Sequence, residues 1–422
     1  MKIQVLLTGN EIMAGDIVDS NSTMMADQLG RHGWRIARKV TVGDELDVLV
    51  AEIRSQSATS DVLIINGGLG PTVDDLTAQA MAAACERPLT LHPGAVAHLE
   101  AWCERRQIQS NEANRKQAIL PEGCGILAND SGSAVGIHVE LNGCQIYATP
   151  GVPSELRWML RHEVLPDMLK RFPAGEVETR RLLVFGGGES TLQQLIHNQY
   201  PDWPDAIELG FRASMPALEV KLTSRSADSA ELDRWQQRLI DDIFQDTYIA
   251  NAPGSLAQAT IDALYREQLH VATAESCTGG MIASQLTDVP GASQVFEAGW
   301  VTYSNAMKQS QLGVAANDLE HFGAVSEPVA IAMAEGARAN SGADISVAVT
   351  GIAGPDGGTE QKPVGTVWIA LATAEITHTY ALRLPFERGL FRRWVSACCL
   401  DLIRRAALGL TLQPRYLARF QK

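Results

Sequence analysis

The stretch Leu269-His270-Val271-Ala272-Thr273-Ala274-Glu275-Ser276-Cys277-Thr278-Gly279-Gly280-Met281-Ile282-Ala283-Ser284-Gln285-Leu286 decides the fold of the C-terminal half. Leu269 to Ala272 is almost wholly apolar and reads as a strand, Gly279-Gly280 marks a turn, and Met281 to Leu286 reads as the start of a helix. A hydroxyl therefore stands at a strand-to-helix turn. Such a turn can aim backbone N–H groups and the positive helix end at one small volume, which suits a phosphate or an oxyanion. Further along, Tyr303-Ser304-Asn305-Ala306-Met307-Lys308 offers a base, and serine beside a desolvated lysine is a hydrolytic pair. Taken alone, the segment is equally a Gly-rich loop followed by a surface lysine.

Working outward, the apolar run Ile345–Val349 leads into a second glycine loop, Thr350-Gly351-Ile352-Ala353-Gly354-Pro355-Asp356-Gly357-Gly358, suited to a nucleotide's phosphate or ribose. Helical and β-like runs alternate from Ser255 to about Leu410, which predicts an α/β domain. The N-terminal part, from Met1 to about Lys170, has the same grammar. Strands are expected at Ile3–Leu7, Val62–Asn66 and Gln145–Ala148, and helices at Ser22–His32, Asp47–Ser57 and Asp75–Cys85. That alternation favours a parallel sheet. Pro173-Ala174-Gly175 breaks the pattern, and a small α+β unit follows. It comprises strand Arg181–Phe185, helix Thr191–Gln199, strands Ile207–Arg212 and Leu218–Ser224, and helix Ala230–Phe244. Asn251-Ala252-Pro253-Gly254-Ser255 reads as a linker, with Ser255 capping the next helix. The expected organisation is thus an α/β domain over 1–170, an α+β module over 176–250 and a second α/β domain over 254–415.

The chain has 422 residues, and its 35 Lys and Arg against 49 Asp and Glu give a net charge of −14. That balance argues against a generic nucleic-acid or anionic-membrane surface, so any phosphate site must be local. The seven cysteines form no C-x-x-C pair; their odd number predicts reduced thiols and a cytoplasmic setting. The opening Met1–Leu7 reads as a strand, not a secretion signal, and no apolar run reaches membrane-spanning length. The nine histidines contain no H-E-x-x-H pattern and receive no role.

Val62–Asn66 feeds Gly67-Gly68-Leu69-Gly70-Pro71-Thr72-Val73-Asp74-Asp75-Leu76-Thr77, a strand, a glycine loop and a helix start. The glycines let backbone approach a ligand, with Gly67, Gly68, Gly70 and Thr72 as candidate contacts. Asp74 can simply cap the helix. Two adjacent carboxylates beside a phosphate repel it unless a divalent cation lies between them, so Asp74 and Asp75 point to a hard metal with oxygen ligands, and Glu11 and Asp16 are weaker additions. Lys116 is either a phosphate contact or a solvated charge. Pro150-Gly151-Val152-Pro153 is a rigid loop that includes a candidate contact at Gly151, with Ser154 expected to cap the following helix.

The ordered set Thr8–Asp16, Gly67–Thr77, Asn114-Arg115-Lys116-Gln117-Ala118, Asn129–Gly136 and Pro150–Glu155 resembles the competence/damage-inducible CinA family, whose N-terminal domain is similar to the molybdopterin-binding MoaB/MogA fold. That resemblance implies cleavage of ADP-ribose to AMP and ribose 5-phosphate with Mg, Mn or Co, the Gly67–Asp75 loop holding the diphosphate. Asn10 stands where the family usually has aspartate, and Val135 where it usually has proline. The middle module resembles the family's KH-type insert, but it has no G-x-x-G loop between helices and is rich in acids, so it is expected to be a structural or dimerising spacer that binds no RNA.

Ser255 to about Val367 resembles the family's nicotinamide-mononucleotide deamidase domain, which needs no cofactor. The resemblance implies that Ser276 attacks the carboxamide, Lys308 takes and returns the proton and Tyr303 relays it or orients the lysine. Cys277, Thr278, Gly279 and Gly280 would cradle the oxyanion, and Asn305, Thr350, Gly351, Ala353, Gly354 and Arg388 would contact the nucleotide. Cys277 is a second candidate nucleophile. The family's Gly-Asp-Arg segment corresponds to Phe386-Glu387-Arg388-Gly389-Leu390-Phe391-Arg392-Arg393, so a phosphate-facing arginine has moved to Arg388 or Arg392 or has been lost. The implied whole is a bifunctional, homodimeric hydrolase of pyridine nucleotides and ADP-ribose. Because fold does not fix chemistry, a pterin-binding adenylyl transferase and a non-catalytic competence or DNA-damage accessory are the rival readings.

Overall fold

The computed structural model describes residues 1–109, 111–175, 177–214, 216–225 and 228–420. Two compact units emerge, one of Met1–Glu178 and one of Thr179–Ser224 with the chain from Asp228 onward. The small α+β module is thus part of the same unit as the C-terminal domain.

In the first unit a six-stranded sheet runs in the order Ile36–Val42, Ile3–Thr8, Val62–Asn66, Cys144–Thr149, Gly136–Leu141, Gly125–Leu127. The first four strands are parallel; Gly136–Leu141 pairs antiparallel with the fourth, and Gly125–Leu127 antiparallel with it in turn. Side chains alternate between two cores: Leu6, Leu63 and Ile65 on one face, and Val5, Leu7 and Ile64 on the other. Both faces are covered, which is why Val62–Ile65 is an unbroken apolar run. Val135 is buried in the first of these cores.

Helices occupy Asn21–Gly30, Leu46–Ser57 and Thr77–Ala84. The last starts later than Asp75 because the Asp75 carboxylate accepts the Thr72 N–H (2.8 Å) and is also bonded by the Thr72 hydroxyl. Those bonds close a turn ahead of the helix, and neither aspartate caps it. Ser154 is likewise not a cap: Pro153 opens the helix Pro153–Met159, with Val152 before it.

In the second unit the module forms a four-stranded sheet, Ile207–Ser214, Ala217–Ser224, Glu178–Phe185, Tyr248–Asn251. The last strand lies where a linker was expected to begin; four residues are too few to show periodicity. Leu183, Phe185 and Ile249 share one core with Val395, Leu400 and Tyr416 of the C-terminal domain. Gly186 takes a left-handed φ of 86° at the turn after its strand, and its backbone meets the Tyr416 ring so closely that a Cβ would lie 2.4 Å from it, so turn and packing both call for glycine here. Buried ion pairs reinforce the join. Arg405, fully buried, donates to Asp401 (2.6 Å) and to the Asp246 carboxylate (2.7 Å), and the Tyr416 hydroxyl also donates to Asp401 (2.8 Å). Arg404, also buried, donates to Asp401 as well (2.7 Å), so replacing Asp401 by Ala takes the carboxylate from two buried guanidiniums and is expected to cost about 3–5 kcal/mol in urea unfolding; a loss under about 1 kcal/mol would show the network to be solvated.

The C-terminal sheet runs Phe296–Val301, Val271–Glu275, Ile345–Gly351, Thr366–Ala372, Thr377–Arg383. Its first three strands are parallel; Thr366–Ala372 pairs antiparallel with Ile345–Gly351, and Thr377–Arg383 antiparallel with Thr366–Ala372. As expected, Ser255 caps Leu256–Arg266 by accepting the Gln258 N–H (3.0 Å). The carboxyl ends of the three parallel strands share one edge, where α/β folds place their ligands. Ser276, Tyr303 and Ile352 each follow one of these strands.

Candidate active sites

At that edge Ser276 leaves the strand Val271–Glu275, its own N–H paired with the Val349 carbonyl (3.0 Å). Gly279 and Gly280 turn the chain with φ of 62° and 88°, a left-handed path that favours glycine. Lys308 comes from the helix Asn305–Leu312, which Ser304 caps through the Met307 N–H. Its side chain is 1% exposed and its Nζ lies 3.1 Å from Ser276 Oγ, 2.8 Å from the Thr302 carbonyl and 3.4 Å from the Tyr303 carbonyl. Burial pulls its ammonium below the ordinary lysine value. In the neutral amine two N–H groups serve the carbonyls and the lone pair is left for the serine proton.

Tyr303 touches the lysine by its backbone alone; its ring is 64% exposed and its hydroxyl makes no bond among the described residues. The expected proton relay through the phenol therefore has no geometric basis, whereas orientation of the lysine does, through the main chain. Cys277 is buried, and loss of solvent pushes its thiol up to about 12. It is a poor nucleophile by the measure that sets thiol reactivity.

The helix Met281–Thr287 does not offer its positive end to a ligand. Glu275, fully buried, accepts the N–H groups of Ile282 (3.1 Å) and Ala283 (2.8 Å). The Gly279 N–H is used within the turn, on the Ser276 carbonyl (3.1 Å). Of the expected oxyanion donors, the N–H groups of Cys277, Thr278 and Gly280 have no backbone acceptor among the described residues. The Thr278 hydroxyl is buried and also unpartnered.

The second glycine loop is held by structure. Thr350, buried, donates to the Ala324 carbonyl (2.8 Å), Gly351 lies within its strand and Ala353 is buried. Arg388 donates to the Gly354 carbonyl (2.8 Å), and Arg392 takes the Thr278 carbonyl with Nε (3.2 Å) and Nη2 (2.6 Å). Both candidate phosphate arginines thus grip loop backbone. Asn305 is exposed in the first turn of the lysine helix.

In the N-terminal unit a cavity of about 500 Å³ opens beside Gly67, Gly68, Gly70, Asp74, Asp75 and Gly151. A Cβ at Gly67 would sit 2.4 Å from the Thr8 carbonyl, so close approach of two strand ends demands glycine. Lys116 donates to the carbonyls of Thr72 and Asp75, the latter at 2.9 Å. It braces the glycine loop and is not a free phosphate contact. Glu11 lies on a short helix, Asn10–Ala14, at the cavity wall.

Sequence reasoning missed Asp19, Asp44 and Glu155, which also line this cavity. Asp44 accepts from the Thr8 hydroxyl (2.7 Å) and the Asn10 N–H (3.0 Å), and its own N–H donates to the Asn10 side chain (3.2 Å). Asn10 therefore fastens a carboxylate in place of supplying one. Among the described residues no three His, Cys, Asp or Glu side chains gather as a ready metal site, and no helix is long and apolar enough to cross a membrane.

Fold and sites define an α/β protein with a glycine-loop cavity in its N-terminal unit and a buried serine–lysine pair in the other. Residues 4–170 match the probable molybdopterin binding domain and residues 254–407 the CinA C-terminal domain. A CinA-like protein of Colwellia psychrerythraea is 52% identical over 99% of this chain and 98% of its own length. The nicotinamide-nucleotide amidohydrolase PncC of Shewanella oneidensis is 40% identical over the full length of both. The solved competence/damage inducible protein CihA of Agrobacterium tumefaciens is 41% identical, covering 36% of this chain and 93% of that one with a TM-score of 0.35. The chain belongs to the CinA family.

Proposed function

We propose that the C-terminal domain hydrolyses the carboxamide of nicotinamide mononucleotide, giving nicotinic acid mononucleotide and ammonia. The carrying observation is the 3.1 Å contact between Ser276 Oγ and the buried Lys308 Nζ; the name of the Shewanella oneidensis relative supplies the substrate class. Neutral Lys308 accepts the hydroxyl proton as Ser276 Oγ bonds to the amide carbon, and the carbonyl oxygen becomes an oxyanion facing the Cys277–Gly280 turn. The C–N bond then breaks, with Lys308 returning its proton to the departing ammonia. Water, deprotonated by the same lysine, cleaves the acyl ester and frees Ser276. Ammonia release from nicotinamide mononucleotide, compared between wild type and Ser276→Ala, tests this.

For the N-terminal domain the proposal is cleavage of ADP-ribose to AMP and ribose 5-phosphate. A large cavity with a glycine loop and several carboxylates supports it. Asp74 and Glu11 suit a hard cation that arrives with the diphosphate and keeps much of its water, as Mg²⁺ does, better than a resident all-protein cage. When bound, the cation would neutralise phosphate charge; Thr72 and Lys116 keep the loop in shape around it. Asp74→Ala and Asp75→Ala are each expected to lower AMP release at least about 100-fold with deamidation unchanged. Equal loss of both activities would mean unfolding or a shared site, and pterin adenylylation without AMP release would replace this reading by adenylyl transfer.

A further inference from the structure

We propose that Glu275 and Arg392 are positioning residues that clamp the Ser276–Gly280 turn from its two sides, and that Arg392 serves this turn and not the substrate's phosphate. The inference rests on the deamidase reading above and concerns how that site is held.

Glu275 is the only charged residue in the strand Val271–Glu275 and is fully buried. A buried carboxylate is costly unless its oxygens are satisfied, and here both are: Oε2 takes the Ile282 N–H and Oε1 the Ala283 N–H. The segment between strand and helix is thereby closed into a loop whose ends are tied by one side chain. The Glu275 carbonyl also accepts the Thr302 N–H (2.9 Å), and the Thr302 carbonyl accepts from Lys308. One residue thus links the nucleophile's turn to the cradle of the base. Its negative charge also offsets the positive end of the following helix. An oxyanion formed at Ser276 must then be met by the N–H groups of the turn itself, which makes the turn's shape matter more.

Arg392 completes the clamp. Nε and Nη2 together hold the Thr278 carbonyl, and a Cβ at Gly279 would lie 3.4 Å from Nη2. The guanidinium therefore packs on the left-handed peptide unit. Fixing that carbonyl fixes the plane of the Thr278–Gly279 peptide between two candidate donors, the N–H groups of Thr278 and Gly280. With Nε and Nη2 both on the Thr278 carbonyl, the side-on fork of the guanidinium is already engaged by the turn.

A clamp of this kind acts where charge develops in the transition state, so it raises kcat and leaves ground-state binding nearly untouched. A phosphate contact would chiefly set KM. The test measures kcat and KM for nicotinamide mononucleotide with full-length wild type, Arg392→Ala, Arg392→Lys and Glu275→Gln. Arg392→Ala is expected to lose about 10–100-fold in kcat with KM within about threefold, the size seen when reacting groups are slightly misplaced or an oxyanion donor is weakened. Arg392→Lys, which keeps charge but has no planar fork, should lose less. Glu275→Gln keeps the shape but sets an amide N–H against a backbone N–H, and should follow Arg392→Ala. Thermal unfolding confirms that each variant is folded; should Glu275→Gln not fold, the arginine pair carries the test. A rise in KM beyond about threefold for Arg392→Ala, or kcat within twofold of wild type, overturns the proposal while leaving the deamidase reading intact. A wild type inert toward nicotinamide mononucleotide overturns both.

Discussion

Ser276→Ala is expected to lower ammonia release from nicotinamide mononucleotide by about 10⁴-fold or more, with substrate affinity little changed. Removing the nucleophile of a serine hydrolase eliminates the covalent route altogether, and what remains is water acting in a bound complex. The neighbouring thiol cannot take over. Cys277 is buried and its pKa is pushed up to about 12, so it holds almost no thiolate at neutral pH. Cys277→Ala should therefore keep most of the activity, and its kcat against that of Ser276→Ala separates the two nucleophiles in one experiment. Rapid turnover by Ser276→Ala with loss in Cys277→Ala would reverse the assignment.

Lys308→Met should lose about 10³-fold or more, because both proton transfers use the amine. In wild type, kcat/KM should rise with pH as the ammonium deprotonates and level off below 10.5, the ordinary lysine value, since burial holds the Lys308 pKa beneath it. The variant has no such limb. Stability gives a second reading of the same group. A lysine whose folded pKa is lowered makes the native state shed its proton first, so wild-type stability rises with pH from that depressed pKa up to 10.5. Below this window the native state carries a buried ammonium that a methionine lacks. Lys308→Met should therefore melt no lower than wild type at neutral pH, with any advantage shrinking as pH climbs. A Tm several degrees lower at neutral pH would mean that the lysine is chiefly a structural tie to the Thr302 and Tyr303 carbonyls. Function at the expense of stability is the pattern expected of a site residue.

Much of this was legible in the chain because it is local. The apolar runs at Ile3–Leu7, Val62–Asn66 and Ile345–Val349 are all central strands of sheets covered on both faces, and such strands announce themselves by composition. Glycine loops after strands marked both sites for the same reason. Ser255 behaved as a cap because its sequence neighbours alone determine that bond.

What escaped depends on partners distant in sequence. Asp44 reaches the N-terminal cavity through a turn after an edge strand, held by Thr8 and Asn10, and no periodicity announces it. Lys116 looked like a phosphate ligand until the fold put the carbonyls of Thr72 and Asp75 under its ammonium. Arg392 found the Thr278 carbonyl 114 residues away. The helix dipole expected to face a ligand is answered by Glu275, for which a signal did exist: a lone acid closing an apolar strand, next to the nucleophile, must be satisfied by something near. The strand Tyr248–Asn251 was too short to see, and it contributes Ile249 to the core shared by the middle module and the C-terminal domain.

The central claim is tested most directly on one purified sample of the full chain given nicotinamide mononucleotide in one vessel and ADP-ribose in another, each with a divalent cation or with a chelator. The account predicts that wild type releases ammonia and nicotinic acid mononucleotide in equal amounts with or without the chelator, that AMP appears from ADP-ribose only with the cation, and that Ser276→Ala abolishes the first reaction alone. No ammonia from wild type, or ammonia released at the same rate by Ser276→Ala, would contradict it.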